Sequence, residues 1–462
     1  MGWGSYGLRF TAAAIAILLW IWLCAVIARN ERRKRLQAAQ DHAIPALPAA
    51  IGKPWLIAYA SQTGTCEDIA WQTAKSLHAA GVPAQVMALG AVTPADLAGA
   101  ERALFVTSTY GEGDPPDAAE PFARKVMAET LALAPLQFAV LALGDSEYVN
   151  FCGFGRTLDA WLTQCGAQAL FDRIEVDNVN DAALLRWREA LGLVVAKTGA
   201  GELSAWEAAA WQRWRISARR HLNPGSAGAP TFHLELTPVD TAAPPSWHSG
   251  DLVQVLAPGD DARPREYSIA SLPADGSVQL LVRQERHADG QLGVASGWLT
   301  EQNALHGEVK LRLRPHRAFR LDDNAHRPLI LVGNGTGLAG LRSHLKARAA
   351  NGIGRNWLVF GERQQAFDYY HRDELEAWRA NGVLERADIV FSRDQPERRY
   401  VQDALRESAS EVREWLDAGA AVYVCGSLEG MAGGVDAALK EIAGAEAIHE
   451  LAEAGRYRRD VY

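Results

Sequence analysis

The chain has 462 residues, 22% of them charged and 48% apolar, with a formal net charge of −8. That length leaves room for about three domains of roughly 100–200 residues each, and no Lys/Arg tract beyond residue 35 resembles a nucleic-acid footprint. Five cysteines without a Cys-x-x-Cys pair, and histidines without His-x-x-x-His spacing, argue against a zinc, iron–sulfur or disulfide framework and fit a reducing compartment.

Residues 1–9 read as a short extracytoplasmic N-terminus. Phe10 to Ala28 is an uncharged run, close to the ~20 residues a helix needs to cross the hydrocarbon core, and predicts a single transmembrane helix. Arg29, Arg32, Arg33, Lys34 and Arg35 follow it while Arg9 alone precedes it. The positive-inside bias therefore puts the rest of the chain in the cytosol, at a bacterial inner membrane. A cleaved signal peptide would carry its basic cluster on the other side of the apolar run. Residues 29–52 form a basic flank and a spacer containing Pro45 and Pro48.

From 53 to 199, strand-length apolar runs alternate with helix-length segments, which predicts an α/β domain with a parallel sheet. Trp55–Ala60, Ala103–Ser108 and Gln137–Leu143 are candidate strands, and each runs into a polar or glycine-rich loop where an open parallel sheet binds its ligand. Ser61, Gln62, Thr63, Gly64 and Thr65 lead into a helix N-terminus suited to a phosphate. Thr109, Tyr110, Gly111 and Gly113 form the second loop, and Gly144, Asp145 and Tyr148, followed by Phe151 and Cys152, the third. Two aromatic loops beside a phosphate loop suit a flat ring with a phosphate tail.

These loops resemble those of the flavodoxin domain in diflavin reductases, a family that includes the reductases of microsomal monooxygenases and the flavoprotein subunit of sulfite reductase. The resemblance implies FMN, its phosphate on Ser61 to Thr65, its ring between Tyr110 and Tyr148, and Asp177 bordering the site. Residues 51–199 carry 17 acidic against 10 basic side chains. That surplus either steers a basic acceptor or simply keeps the surface soluble.

Residues 200–230 read as a linker. Leu203–Leu222, with Trp206, Trp211 and Trp214, predicts an amphipathic helix, and Asn223–Pro230 a flexible hinge. From 231 to 325, short strands separated by turns predict an antiparallel β-barrel. Within it, Arg265, Tyr267 and Ser268 offer a cation for a pyrophosphate, a ring for a flavin and a hydroxyl near flavin N5. Gly293, Val294, Ala295 and Ser296 add a small-residue helix start for a second pyrophosphate contact. Together these motifs resemble the FAD module of ferredoxin–NADP reductase-like proteins. Larger diflavin reductases insert a long helical connecting domain here, for which this chain has no room.

Residues 326–462 predict an α/β nucleotide domain. A buried strand runs into Gly335 and Thr336, where backbone and hydroxyl can meet a phosphate, while Gly340 stands where the family often has Pro and is expected to loosen the helix. Ser392, Arg393, Arg398, Tyr400 and Gln402 cluster as a 2′-phosphate and an adenine require, which favours NADPH over NADH. By resemblance, Cys425 lies near nicotinamide C4, Asp460 beside the hydride path, and Tyr462, where the family often has Trp, over the flavin as a stacked gate. Ser268, Cys425, Asp460 and Tyr462 are the candidate catalytic residues.

The expected protein is thus a membrane-anchored NADPH-dependent diflavin reductase that carries FAD and FMN. It passes electrons from NADPH to FAD to FMN and on to a separate acceptor: a haem protein, a sulfite reductase-type partner, or a ferric-chelate or other membrane reductase. Two other readings stand beside it. One is a non-catalytic flavin- and nucleotide-binding membrane sensor or scaffold, the other an oxidoreductase that uses FAD alone.

Overall fold

The structure, a computed structural model, describes residues 53–462 except 62–63, 112, 147, 178–179, 205, 207–209, 241–244 and 260–263. Residues 1–9, the apolar run Phe10–Ala28, its basic flank and spacer at 29–52, and Gln62 and Thr63 lie outside the described residues. Among the described residues no helix is long and apolar enough to cross a membrane.

The first sheet contains β1 (Trp55–Ala60), β2 (Ala84–Ala88), β3 (Arg102–Ser108), β4 (Gln137–Gly144), β5 (Gln168–Ala169) and β6 (Ile174–Asp177). The strands run parallel in the order β2-β1-β3-β4-β5, with β6 also on β4. Helices cover both faces, so β1, β3 and β4 are buried almost end to end and read as continuous apolar runs. The order reverses between β1 and β3, and the three candidate loops leave the carboxyl ends of β1, β3 and β4 at that crevice.

The second sheet is antiparallel, ordered β10-β9-β12-β7-β8-β11. Its strands are β7 (Gln212–His221), β8 (Thr231–Pro238), β9 (Leu252–Leu256), β10 (Arg265–Ser268), β11 (Val278–Arg283) and β12 (Glu308–Arg314). The ladder's two ends meet just past β10, where the Ala270 N–H donates to the Gln279 carbonyl at 2.8 Å, as barrel closure requires.

Here the linker expectation fails. Gln212–His221 is a central strand, not a helix: Trp214 and Ile216 point into the barrel core while Arg213 and Arg215 face out, a period of two. Closely spaced tryptophans mimicked a helical stripe, although Trp206 packs on the first unit's core and Trp211 lies under Arg312. Asn223–Pro230 is a built turn between β7 and β8 rather than a hinge. The buried Asn223 amide donates to Ala229 O and Asp368 Oδ1 and accepts from the Thr231 N–H.

The third sheet is parallel, ordered β15-β14-β13-β16-β17, from β13 (Leu329–Asn334), β14 (Asn356–Glu362), β15 (Leu384–Phe391), β16 (Ala421–Gly426) and β17 (Tyr457–Val461). Its switch point lies between β13 and β16, where Asn334 Oδ1 accepts from the Ser427 N–H at 2.9 Å. The helix Leu338–Ala350 is continuous, and Gly340 does not loosen it. A Cβ there would sit 3.1 Å from Phe319 and 3.3 Å from the Cys425 sulfur, so the glycine serves close packing. One apolar cluster joins Ala270, Leu281 and Phe319 to this sheet, making barrel and nucleotide unit a single packed body.

The strand assignment is testable by urea unfolding. Ile216→Ala should cost about 2–5 kcal/mol by opening a cavity in the barrel, whereas the exposed Arg215→Ala should stay within about 0.5 kcal/mol.

Candidate functional site

The loop after β1 turns at Gly64, whose φ of +85° suits glycine, and opens the 15-residue helix Thr65–Ala79. Ser61 Oγ accepts from the Cys66 N–H at 3.3 Å. The second and third loops brace each other: Thr109 Oγ1 accepts from the Phe154 N–H at 3.3 Å, and the Thr109 N–H donates to Leu143 O. Tyr110 turns back on Asp114 across Gly111 and Gly113.

Asp177 does not face the loops as a lone acid. Both its oxygens hold Ser146, at 3.0 Å from the backbone N–H and 2.7 Å from the hydroxyl, which fixes the loop next to Gly144 and Asp145; Tyr148 is exposed. Phe151 packs partly buried at Gly144. Cys152 is fully buried with its thiol on Ala142 O, so only its backbone borders the loop.

In the barrel, β10 carries Arg265, Tyr267 and Ser268 beside β9. The Gly293–Ser296 turn lies across from Glu285, whose N–H donates to Ser296 Oγ at 3.1 Å; Ala295 is buried and Val294 exposed. Ser268 is also nearly buried, and its Oγ donates to Asp460 Oδ2 at 2.8 Å. Cys425 Sγ lies 3.6 Å from the same oxygen, and His316 Nε2 is 3.5 Å from the other.

Residues 192 positions apart in the chain thus meet at one carboxylate because β17 pairs with β16, setting Asp460 opposite Cys425. Burial would push the Asp460 carboxyl up, but His316, Ser268 and Cys425 outweigh it and hold it below the usual range. Burial, with Asp460 beside it, raises the Cys425 thiol well above its ordinary value. The set is therefore one carboxylate with two protonated donors.

The tail is ordered. The Tyr462 N–H donates to Gly426 O, its carbonyl accepts from Leu428, and its hydroxyl is 3.1 Å from Thr336 Oγ1, while the side chain stays 56% exposed. Gly335, at φ +57°, leaves room for Arg283, whose guanidinium would lie 2.6 Å from a Cβ there and pairs with the buried Glu362 at 2.7 Å. At the third loop cluster, Arg393 and Arg398 are exposed and pair with no carboxylate among the described residues, unlike Arg399, which is held by Glu407. Ser392 Oγ donates to Glu362 O, Tyr400 precedes the helix Val401–Glu407, and the buried Gln402 Oε1 has no partner among the described residues.

Sequence reasoning missed what joins the two halves. Arg459, one residue before Asp460, donates through Nε to Asp117 at 2.8 Å, and its guanidinium lies 5.2 Å from the Tyr110 ring centre. Arg317 pairs with Glu67 at 3.2 Å, and Arg314 bonds both Glu266 and Thr65. At the rim the polarity reverses, with Lys125 on Glu453 at 2.6 Å and Arg124 on Glu446. Part of the acidic surplus, read as either steering an acceptor or keeping the surface soluble, is thus met by the chain's own arginines. The basic runs Arg312–Arg320 and Arg456–Arg459 were the available signal.

Three loops at a flavodoxin-type crevice, an antiparallel barrel, a nucleotide sheet and the buried Ser268–Asp460–Cys425 set fit flat redox rings with phosphate tails, and two exposed arginines that pair with no carboxylate among the described residues fit a phosphorylated nucleotide. They define a flavin-dependent pyridine-nucleotide oxidoreductase. Residues 57–190 match the flavodoxin family model, and residues 331–437 the oxidoreductase NAD-binding domain.

The chain is 30% identical to the sulfite reductase [NADPH] flavoprotein alpha-component of Neisseria meningitidis serogroup B over 580 aligned positions, covering 96% of this chain and 95% of that protein. It is 31% identical to the one from Thiocapsa roseopersicina, covering 86% and 85%. The chain belongs to the diflavin reductase family. It is an NADPH-dependent flavin oxidoreductase whose cofactors are FMN, FAD and NADPH, which sets aside the sensor and FAD-only readings. The 580 positions of the first alignment exceed this chain's 462 residues, so that relative carries segments without a counterpart here.

Removing the brace on the third loop gives a test. Asp177→Ala loses two hydrogen bonds to a carboxylate, and FMN affinity should fall about tenfold or more while FAD content is unchanged, measured by flavin release from the dialysed protein.

Proposed function

We propose that this chain is a membrane-anchored reductase that relays electrons from NADPH through FAD and FMN to a separate acceptor. NADPH supplies a hydride, and flavins can take up electrons in pairs and release them singly. In this reading, 10–28 is the anchor, 29–52 the flank and spacer, 53–199 the FMN domain, 231–325 with β7 the FAD barrel, and 326–462 the NADPH domain. The observation that carries it is the buried contact of Ser268 and Cys425 with Asp460, one residue from the Arg459–Asp117 pair that ties the flavodoxin unit in place.

The residues divide the work. Ser268 and Cys425 hold their protons toward Asp460, and the ionised Asp460 orients both, a preorganised electrostatic arrangement in a nearly dry pocket. Tyr462, tethered through its backbone and resting on Thr336, covers the approach and must swing aside for a nicotinamide. Arg393 and Arg398, with Ser392, Tyr400 and Gln402, bind the 2′-phosphate end. Ser61 to Thr65, Tyr110 and Tyr148 hold FMN, and Arg265, Tyr267 and Gly293 to Ser296 hold FAD.

For the acceptor, a haem protein, a sulfite reductase-type partner and a ferric-chelate or membrane reductase all suit a one-electron exit. The names of the relatives favour the sulfite reductase-type partner.

With the flavin-loaded protein under anaerobic conditions, NADPH should bleach both flavins, and Asp460→Asn should slow this about a hundredfold. Bleaching of FAD without FMN would refute the relay. Arg393→Ala and Arg398→Ala should each raise KM for NADPH about tenfold or more and leave that for NADH unchanged. In fractionated cells the full chain should sediment with membranes, and deletion of 1–52 should release it.

A further inference from the structure

The Asp460 carboxylate has two oxygens, and the hydride-site motifs account for one. Ser268 and Cys425 both address Oδ2. Oδ1 lies 3.5 Å from Nε2 of His316, a residue outside every cofactor-binding motif in the chain. The imidazole is fully buried, and among the described residues neither ring nitrogen has a well-formed hydrogen bond. Its ring lies nearly parallel to Phe319, at 5.8 Å and 19°, and its backbone N–H is fixed on Asp251 Oδ1 at 2.9 Å. Burying polar nitrogens without good partners costs about 1–3 kcal/mol, so an apolar ring would fill this space at lower cost.

Titratable and charged groups lie on each element that meets the His316 segment. They are Asp460 and Arg458 on β17, Cys425 and Tyr423 on β16, His344 on the helix Leu338–Ala350, Asp251 before β9, Glu67 and Asp68 on the helix Thr65–Ala79, and Arg314, Arg317 and Arg320 on its own segment. The cations have other partners. Arg314 bonds Glu266 and Thr65, Arg317 bonds Glu67, Arg320 bonds Asp251, and Arg458 bonds the carbonyls of Arg317 and Arg320. Among the described residues His316 is the one basic side chain at ion-pair distance from Asp460.

We propose that His316 is a positioning residue for hydride transfer, holding Asp460 ionised and rotated so that Oδ2 faces Ser268 and Cys425. This rests on the reading of Asp460 as part of the hydride site. The depressed carboxyl agrees with it, since His316 is among the groups that overcome burial. A carboxyl depressed on folding contributes stability above its unfolded pKa and loses it as pH falls through the folded value. Removing His316 therefore shifts that loss to higher pH.

The test uses flavin-loaded His316→Gln, which keeps hydrogen-bonding capacity without the imidazole, and His316→Phe, which keeps an aromatic ring without nitrogens. In both, the acid limb of flavin reduction by NADPH should move up by about one pH unit. The kcat should fall about tenfold, with KM for NADPH unchanged. Independently of activity, the carboxyl carbon signal of Asp460, labelled with 13C and assigned by its absence in Asp460→Asn, should titrate at correspondingly higher pH. If His316→Phe fails to fold, the carboxyl midpoint of His316→Gln decides. An unmoved carboxyl midpoint and acid limb, with Asp460→Asn still slow, overturn the role of His316 and leave the hydride site standing. An Asp460→Asn variant that reduces flavin at the original rate removes both.

Discussion

The pairing of Arg459 with Asp117 is the contact on which the closed arrangement turns. Burial alone would depress the arginine, and the carboxylate beside it more than reverses that. Truncating one partner of such a hydrogen-bonded interface pair costs about 2–5 kcal/mol, much of it from stranding the other charge. Arg317 with Glu67 and Arg314 with Thr65 lie on the same seam. These contacts fasten the flavodoxin unit directly to the barrel and the nucleotide sheet. The larger relatives' extra segments are not needed for the two halves to meet.

The seam also reinterprets the charge of the first unit. Glu67 is largely removed from water, which raises its carboxyl and is countered first by Arg317. A surface built this way is held closed by Coulomb attraction in a partly desolvated gap, and salt weakens it at the exposed rim, where Lys125 meets Glu453, before the buried centre. The protein therefore carries an attachment that is firm at its middle and yielding at its margin.

Much of this was legible in the sequence because local rules wrote it. Continuous apolar runs ending in Ser61–Thr65, Thr109–Gly113 and Gly144–Tyr148 gave the parallel sheet and the loops at its carboxyl edge, and the motifs' resemblance to diflavin reductases gave the cofactors that the relatives bear out. Gln212–His221 was misread because tryptophans at 206, 211 and 214 outweighed a plain alternation of Arg213, Trp214, Arg215 and Ile216. The pairing across the seam, hinted at only by two basic runs, went unread for another reason. Arg459 and Asp117 are 342 residues apart, and no periodicity links an arginine in a tail to an aspartate in a loop. His316 escaped likewise, since it belongs to no motif and acquires its neighbour only when β17 docks on β16.

Strand β17 lies at the edge of its sheet and presents successive side chains to opposite faces. One residue addresses the barrel's Ser268 and its immediate predecessor the flavodoxin unit's Asp117. A slip of a single position would, according to its direction, either drive the Arg459 guanidinium into the thiol pocket or turn the Asp460 carboxylate onto Asp117. The short link from Glu453 to Tyr457 thus acts as a ruler, and its length can change only in company with both surfaces it serves.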